Sequence, residues 1–461
     1  MPSKFISNIG SKLLEEKPKR YHHHHHHRHH HRHHHHHHHH HHHYHHHHHH
    51  HHYHHYRILI SGPSGFVGSR LVDTIVQIHK YRSDNGVDPG EVILLSGSPG
   101  KLMNRLSKRY GVDGLRTIKA SRADYYSQHD ASTWQHHLGS LGAEGRDSVF
   151  VNLAAISGPI DNKPMAMDSI NYHAAVAVAR ACEVLEFGHF IQSSSQAVNA
   201  ERAGQVPYSK GKSMADFAMS RLNIPVSIFV LGLLYCKTDR VIGQDGKNLN
   251  LIDLSLLPLT PILGDGTAPL QPLEVSDAAQ RIAYLALTDP LSRPTQKVLS
   301  SSSKLNAMQE KNACLRIYEA AGPEVLSMQE LLKRFAVYQG KNPNQFRPVF
   351  IGYRNMEMIL NIKSFGNLNR QFVSLLRSEQ DGYRRILGDH RVFEKLLGDN
   401  MPLTTLDEAF LPPNRRSLPL RKIIQYVLSN PKVVIPGFWL TIEIIASYFF
   451  NIRFEEAQEK K

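Results

Sequence analysis

The chain has 461 residues, 41% of them hydrophobic and 20% charged, which excludes a wholly disordered polymer and leaves material for a sizeable core. The formal charge of +14 fits a nucleic acid or membrane surface as partner, yet most lysines and arginines are scattered. No helix-turn-helix, RNP or zinc-finger pattern occurs, which argues against nucleic-acid binding.

In chain order, residues 1–20 form an N-terminal segment. Ser3 to Leu14 has the spacing of a short amphipathic helix, and its Lys and Ser content is that of a mitochondrial transit peptide. Glu15 and Glu16 oppose that reading in favour of a surface helix or tail. No continuous apolar run marks a secretory signal. Residues 21–56 are almost pure histidine, broken by Arg28, Arg32, Tyr44 and Tyr53. With no apolar face at any period, this tract is expected to be disordered, and it is too long and interrupted for an expression tag. Imidazole titrates near pH 6.5, so the tract becomes cationic in mild acid. It is expected to bind divalent metals nonspecifically, without the fixed geometry of a site.

Residues 57–235 read as a dinucleotide-binding domain. Ile58-Leu59-Ile60 is a buried strand, followed by a glycine-rich turn and a helix with Val67, Leu71, Ile75 and Ile78 on one side. Then come a strand at Val92–Leu95, a helix at Leu102–Tyr110, a strand at Val149–Leu153 and an Ala-rich helix from Ser169 to Phe187. A strand led by Phe190-Ile191, a helix from Ser213 to Leu222 and a strand at Val226–Leu231 complete the alternation. Strands alternating with helices at this spacing predict an α/β fold, a Rossmann doubly wound parallel sheet. Residues 236–412 are expected to build a smaller substrate lobe, with a surface loop at Ser300–Asn312, a strand at Leu315–Tyr318 and a helix at Met328–Tyr338.

Residues 413–461 form a helical, partly hydrophobic tail. Val433–Ile452 is mostly apolar, with Phe438, Trp439, Tyr448, Phe449 and Phe450 suited to a membrane interface. It is borderline in length for a span, and Glu443 would be costly in lipid. A membrane anchor or in-plane helix and a docking helix both remain open. Cys182, Cys236 and Cys314 make no CxxC pair and no disulfide framework, which points to a reducing compartment, cytoplasmic or mitochondrial.

Two motifs carry chemistry. Gly62, Gly65 and Gly68 stand at GxxGxxG spacing between a strand and a helix, the context in which backbone N–H groups at a helix N-terminus cradle a pyrophosphate. Gly62, Ser64, Gly65, Phe66, Val67 and Gly68 are the expected contacts. No carboxylate ends the second strand to meet an adenine ribose; Lys101 and Arg105 follow instead, leaning the choice of cofactor from NAD towards NADP. Tyr208 and Lys212 form YxxxK, one helical turn apart, where an ammonium beside a phenol is expected to lower its pKa for acid/base work.

On these residues the chain resembles the extended and atypical short-chain dehydrogenase/reductases, the group with the NAD-dependent epimerases and dehydratases, from about Arg57 to Asp277. Ser61 to Gly68 is similar to that family's TGxxGxxG. Asn152-Leu153-Ala154-Ala155 is similar to its segment after the fourth strand, Phe190 to Ser195 to its serine-ending fifth strand, and Pro207 to Met214 to its Tyr–Lys helix. The resemblance implies Ser195 as the substrate-orienting hydroxyl with Ser194 second, Tyr208 as acid/base, and Lys212 at the nicotinamide ribose. It implies Asp124 near adenine, Asn152, Ala154 and Ala155 bordering the cofactor, and Asn171 in the following helix. Gly264-Asp265-Gly266 and Gln271 to Asp277 resemble a late segment on the substrate side. Gly322-Pro323-Glu324, Leu396-Leu397-Gly398 and Leu406 to Ala409 resemble a narrower branch, that of the Rossmann-type accessory subunit of respiratory complex I.

Val230-Leu231-Gly232 departs from the family's Arg-Pro-Gly, and the loop between Ser195 and Tyr208 is short, which sets sugar nucleotides in doubt. An NAD(P)-dependent oxidoreductase or epimerase acting on a small molecule is the leading expectation. A non-catalytic nucleotide-binding subunit of a membrane complex is the other. Glu324, Asp277 and His173 read as caps, loop contacts or packed helix residues, and His129, His136 and His137 lack a ligand-spaced partner, so no metal site is assigned.

Overall fold

The apolar runs become strands of one sheet. The computed structural model describes residues 56–125, 127–156, 166–199, 207–236, 255, 257–288, 303–352, 387–399 and 401–410. Its main sheet comprises β1 (Arg57–Ser61), β2 (Glu91–Ser96), β3 (Ile118–Arg122), β4 (Ser148–Asn152), β5 (His189–Ser195), β6 (Val226–Leu231) and β7 (Leu315–Ala320). The spatial order is β7-β6-β5-β4-β1-β2-β3, and every pairing is parallel. This is the doubly wound Rossmann sheet, with its topological switch between β1 and β4.

Strand residues alternate between two buried faces, as the pleat requires. Ile58, Ile60, Val92, Leu94, Val149, Val151 and Ile191 pack with α1 (Phe66–Asp84), α2 (Pro99–Tyr110) and a later helix at Val275–Leu287. Leu59, Ile93, Leu95, Phe150, Phe190, Ile228 and Val230 pack with α3 (Ala131–Ser140), α4 (Ala175–Val184) and α5 (Pro207–Met219). With both faces covered, the central strands are largely apolar, with polar residues gathered at their carboxyl ends, and β4 and β6 have every residue buried.

Several elements differ from the sequence expectation. β3 and α3 were not expected: β3, at the sheet edge, buries only Ile118 in a run of mixed polarity. The helix expected from Ser213 begins at Pro207, where a missing N–H costs nothing in the first turn. The Ala-rich helix enters through a turn at Ala166–Asp168 and a π-helical turn at Ser169–Ala174. The surface loop expected at Ser300–Asn312 contains a helix, α7 (Ser303–Lys311), whose Met308 packs with Leu315 and Ile317.

The Rossmann layer also extends past residue 235. The helix at Val275–Leu287, α6, packs on α1, and β7 prolongs the sheet on β6. The smaller lobe keeps a parallel pair, Thr260–Leu263 with Pro348–Ile351, and an antiparallel pair, Pro269–Leu270 with Leu326–Ser327. Its core joins Tyr235, Ile262 and Leu270 to Leu331 and Phe335 of α8 (Met328–Tyr338), and to Phe410.

The expectations for residues 1–55, and for the apolar tail from Val433 to Ile452, fall outside the described residues. Among those described, no helix is long and apolar enough to cross a membrane.

Candidate active site

The carboxyl ends of β1, β4 and β5 meet at the switch, and a buried polar network ties them together. Ser61 Oγ donates to Asn152 Oδ1 at 2.6 Å and accepts from the backbone N–H groups of Leu153 and Ala154, each at 3.1 Å. Asn152 Nδ2 donates to Gln192 Oε1 at 2.8 Å, and Gln192 Nε2 donates to the Ser193 carbonyl at 3.0 Å. Ser61, Asn152 and Gln192 are all fully buried. Such a network is favourable only when every member is satisfied, and it fixes the strand ends relative to one another.

Above it the glycine turn is shaped by backbone contact. Gly62 has φ +66° and hydrogen-bonds through its carbonyl to Gly65 N at 3.0 Å. A Cβ at Gly62 would fall 2.8 Å from the carbonyl of Leu153, and one at Gly68 would fall 2.1 Å from Gly62 O. The turn therefore lies against the β4 end and the first turn of α1 at a distance only glycine permits. Gly65, the N-cap, is exposed; Ser64, Phe66 and Val67 are half-buried, with Val67 packed partly against the core. Ala154 is half-buried and Ala155 exposed beside the turn. The first turn of α1 holds no acidic residue, so its free N–H groups and positive end face this cradle unopposed. These features fit a pyrophosphate. The Asn152 side chain is bonded within the network beneath, to Ser61 and Gln192.

At the tips of β2 and β3 the surface is basic. Ser96 lies opposite Arg122, and Lys101 and Arg105 are exposed on α2. No carboxylate occurs between Ser96 and Arg105. Arg122 was missed in the sequence because β3 itself was missed. Asp124, exposed just past β3, accepts from Ser127 Oγ at 2.7 Å.

The proton-handling residues lie on the other side of the switch. Tyr208 is half-buried and near enough to the Ser195 hydroxyl for that group to favour its ionised form, while Ser194 donates to Asp216 Oδ2. Of the two serines, Ser195 is the one at the phenol. Lys212, 2% exposed, donates from Nζ to the Ser193 carbonyl at 2.8 Å. Asn171 grips Ile156 at both ends, accepting from its N–H at 3.0 Å and donating to its carbonyl at 2.8 Å. Gly211 lets α5 approach it: a Cβ there would fall 3.3 Å from Asn171 Cβ.

The electrostatics differ from the expectation that Lys212 lowers the Tyr208 pKa. Burial pushes the phenol above its ordinary value, the nearby Ser195 hydroxyl opposes this, and the charge of Asp216 adds to the rise. Burial also lowers Lys212 to about 8, against the pull of Asp216. With its ammonium on the Ser193 carbonyl and its charge offset by Asp216, Lys212 lends the phenol little help in the free chain.

The remaining candidates are structural in their contacts. Asp277 accepts from Thr404 N at 2.7 Å and Thr404 Oγ1 at 3.1 Å, holding the stretch after α9 (His390–Lys395). Glu324 accepts from Leu406 N at 2.9 Å and pairs with Arg334 at 2.8 Å. His173 is exposed, with its ring 5.6 Å from that of His129. Among the described residues no group of three His, Cys, Asp or Glu side chains is arranged to hold a metal.

No protein-family model matches the chain, and no curated protein matches it. Solved structures do resemble it. The UDP-glucuronic acid 4-epimerase of Bacillus cereus, in complex with NAD, is 17% identical, with 64% of this chain and 86% of that one covered at a TM-score of 0.43. A dTDP-glucose 4,6-dehydratase of Bacillus anthracis, also with NAD, is 16% identical, with 71% and 97% covered at 0.44. Pal from Bacillus thuringiensis is 14% identical, with 77% and 97% covered at 0.49. These are similarities at low identity, and the Rossmann fold rests on the strand order itself.

Proposed function

We propose that the chain is an NAD(P)(H)-dependent oxidoreductase or epimerase of the short-chain dehydrogenase/reductase kind, acting on a small molecule at the Tyr208–Ser195 pair. One observation carries the reading: Tyr208 lies beside the end of β5, near the Ser195 hydroxyl, at the same carboxyl end of the sheet as the glycine cradle. Gly62, Gly65 and Gly68, with the start of α1, hold the pyrophosphate. The basic tips of β2 and β3, with Lys101 and Arg122, receive the adenine ribose, and the lack of a carboxylate there favours a 2′-phosphate. The nicotinamide ring, when bound, supplies the hydride acceptor or donor.

Ser195 holds the reacting oxygen of the substrate, and Tyr208 passes a proton to or from it at the phenolic oxygen. Because burial raises the Tyr208 pKa, the resting group at pH 7 is the neutral phenol, a proton donor. Lys212, at about 8, is mostly ammonium at pH 7 and presents a positive charge beneath the site. Asn171 fixes the loop after β4, and so the wall facing α5.

The test is a titration with NADPH and NADH followed by protein fluorescence. Trp134 is a built-in probe: it is fully buried and its ring lies 4.8 Å from that of Tyr125, next to Asp124. Saturable binding is expected that G65D abolishes and Y208F spares, with NADPH the tighter ligand. If the folded protein binds neither nucleotide, the proposal falls.

A further inference from the structure

The face of α5 that holds Tyr208 and Lys212 carries one more ionisable side chain. Asp216 follows Lys212 at the interval by which Lys212 follows Tyr208, so the three form one stripe along the helix. Asp216 and Lys212 are each 2% exposed. β5 answers the stripe with three consecutive residues. Ser195 lies nearest the phenol, the Ser193 carbonyl takes the ammonium, and Ser194 Oγ donates to the Asp216 carboxylate. A charge this deep persists only when paired and hydrogen-bonded.

The elements around α5 bring few other charges to Lys212. The helical stretch from Ala166 to Val184 contributes Asp168, Tyr172, His173, Arg180, Cys182 and Glu183; β5 contributes His189 at its far end; α5 adds Tyr208 and Lys210. Of these and Asp216, among the described residues, Asp216 lies one helical turn from Lys212 and is as deeply buried, and its negative charge opposes the fall that burial imposes on the amine.

We propose that Asp216 is a positioning residue, which acts through Lys212 by keeping its ammonium charged and seated on the Ser193 carbonyl beneath Tyr208. The inference rests on the dinucleotide reading for the use made of Lys212, but the coupling itself is a property of the free chain. Removing the carboxylate leaves a buried amine with only a carbonyl for partner, and it discharges at a lower pH. In D216N at least half of the amine would therefore be neutral at pH 7.

The coupling is measured directly by following the side-chain 15N resonance of Lys212 against pH in the full-length protein, with K212M identifying the signal. A midpoint near 8 is expected in the wild type. D216N should lower it by at least one unit, a tenfold loss of proton affinity, and D216E should restore most of it. A D216N midpoint within about 0.3 units of the wild type overturns the proposal. Should D216N fail to fold, the same coupling is read from its other side in K212M, since it is reciprocal. The carboxyl 13C midpoint of Asp216 must then rise by at least one unit, and an unchanged midpoint overturns the proposal. Neither readout involves nucleotide, so loss of the coupling is distinguishable from failure to bind NADPH or NADH.

Discussion

Replacing Gly62 by alanine tests whether the glycine turn is held as tightly as its contacts imply. Two costs add. The residue sits at φ +66°, where an L side chain costs roughly 1–2 kcal/mol. The new Cβ would also lie 2.8 Å from both carbonyl atoms of Leu153 and 2.9 Å from Ala154 N, all backbone. That backbone cannot easily retreat, because Leu153 N and Ala154 N are both held by Ser61 Oγ, itself bonded to Asn152. Overpacking of this sort costs about 1–3 kcal/mol, so the total is about 2–5 kcal/mol. Gly100 is the control. It lies in the first turn of α2, with no atom within 4 Å of a built Cβ, and G100A should be neutral or stabilising by up to about 1 kcal/mol. Denaturant unfolding at pH 7 measures both variants against the wild type. If G62A loses less than about 0.5 kcal/mol, the account of a turn pinned against the β4 end is refuted.

Other expectations follow from the same geometry. S61A should cost about 1–3 kcal/mol in denaturant unfolding, because Asn152 Oδ1 and the Ala154 N–H lose their partner in a closed site, while Leu153 N–H keeps the Ser61 carbonyl. R281A should cost at least about 2 kcal/mol and open the segment around α9 to limited proteolysis. Arg281, 1% exposed, donates to the carbonyls of Phe393, Glu394 and Met401 at 3.0, 3.2 and 2.9 Å. Glu274 gives a pH signature: burial, with the nearby Asp277, raises its pKa from 4.5 to about 7. The folded state then binds the proton more tightly than the unfolded chain, so this contribution is full below pH 4.5 and is lost between there and about 7. E274Q should remove that slope, on the order of 3 kcal/mol, from the stability–pH curve.

The layer order was legible because parallel strands buried on both faces read as apolar runs, as in Ile228 to Leu231. β3 was not, since Lys119, Ser121 and Arg122 face outward at the sheet edge and leave Ile118 alone to signal a strand. The glycine turn and the Tyr–Lys spacing were local patterns and survive intact. Asp216 was missed although it continues the Tyr208–Lys212 interval, because only the fold brings Ser194 against it. The role of Asn152 likewise depends on neighbours far apart in sequence, Ser61 and Gln192, which meet only when β1, β4 and β5 are in register.

The seventh strand has a consequence for biosynthesis. β6 emerges with six residues destined for burial, five of them apolar, and finds its outer partner only after residues 232–314 have also been made. At ordinary elongation rates that interval is on the order of ten seconds, during which an uncharged strand edge stands open beside the ribosome. Nascent chains stalled before Leu315 are therefore the form of this protein most exposed to mispairing, and the form a chaperone would be needed to shield.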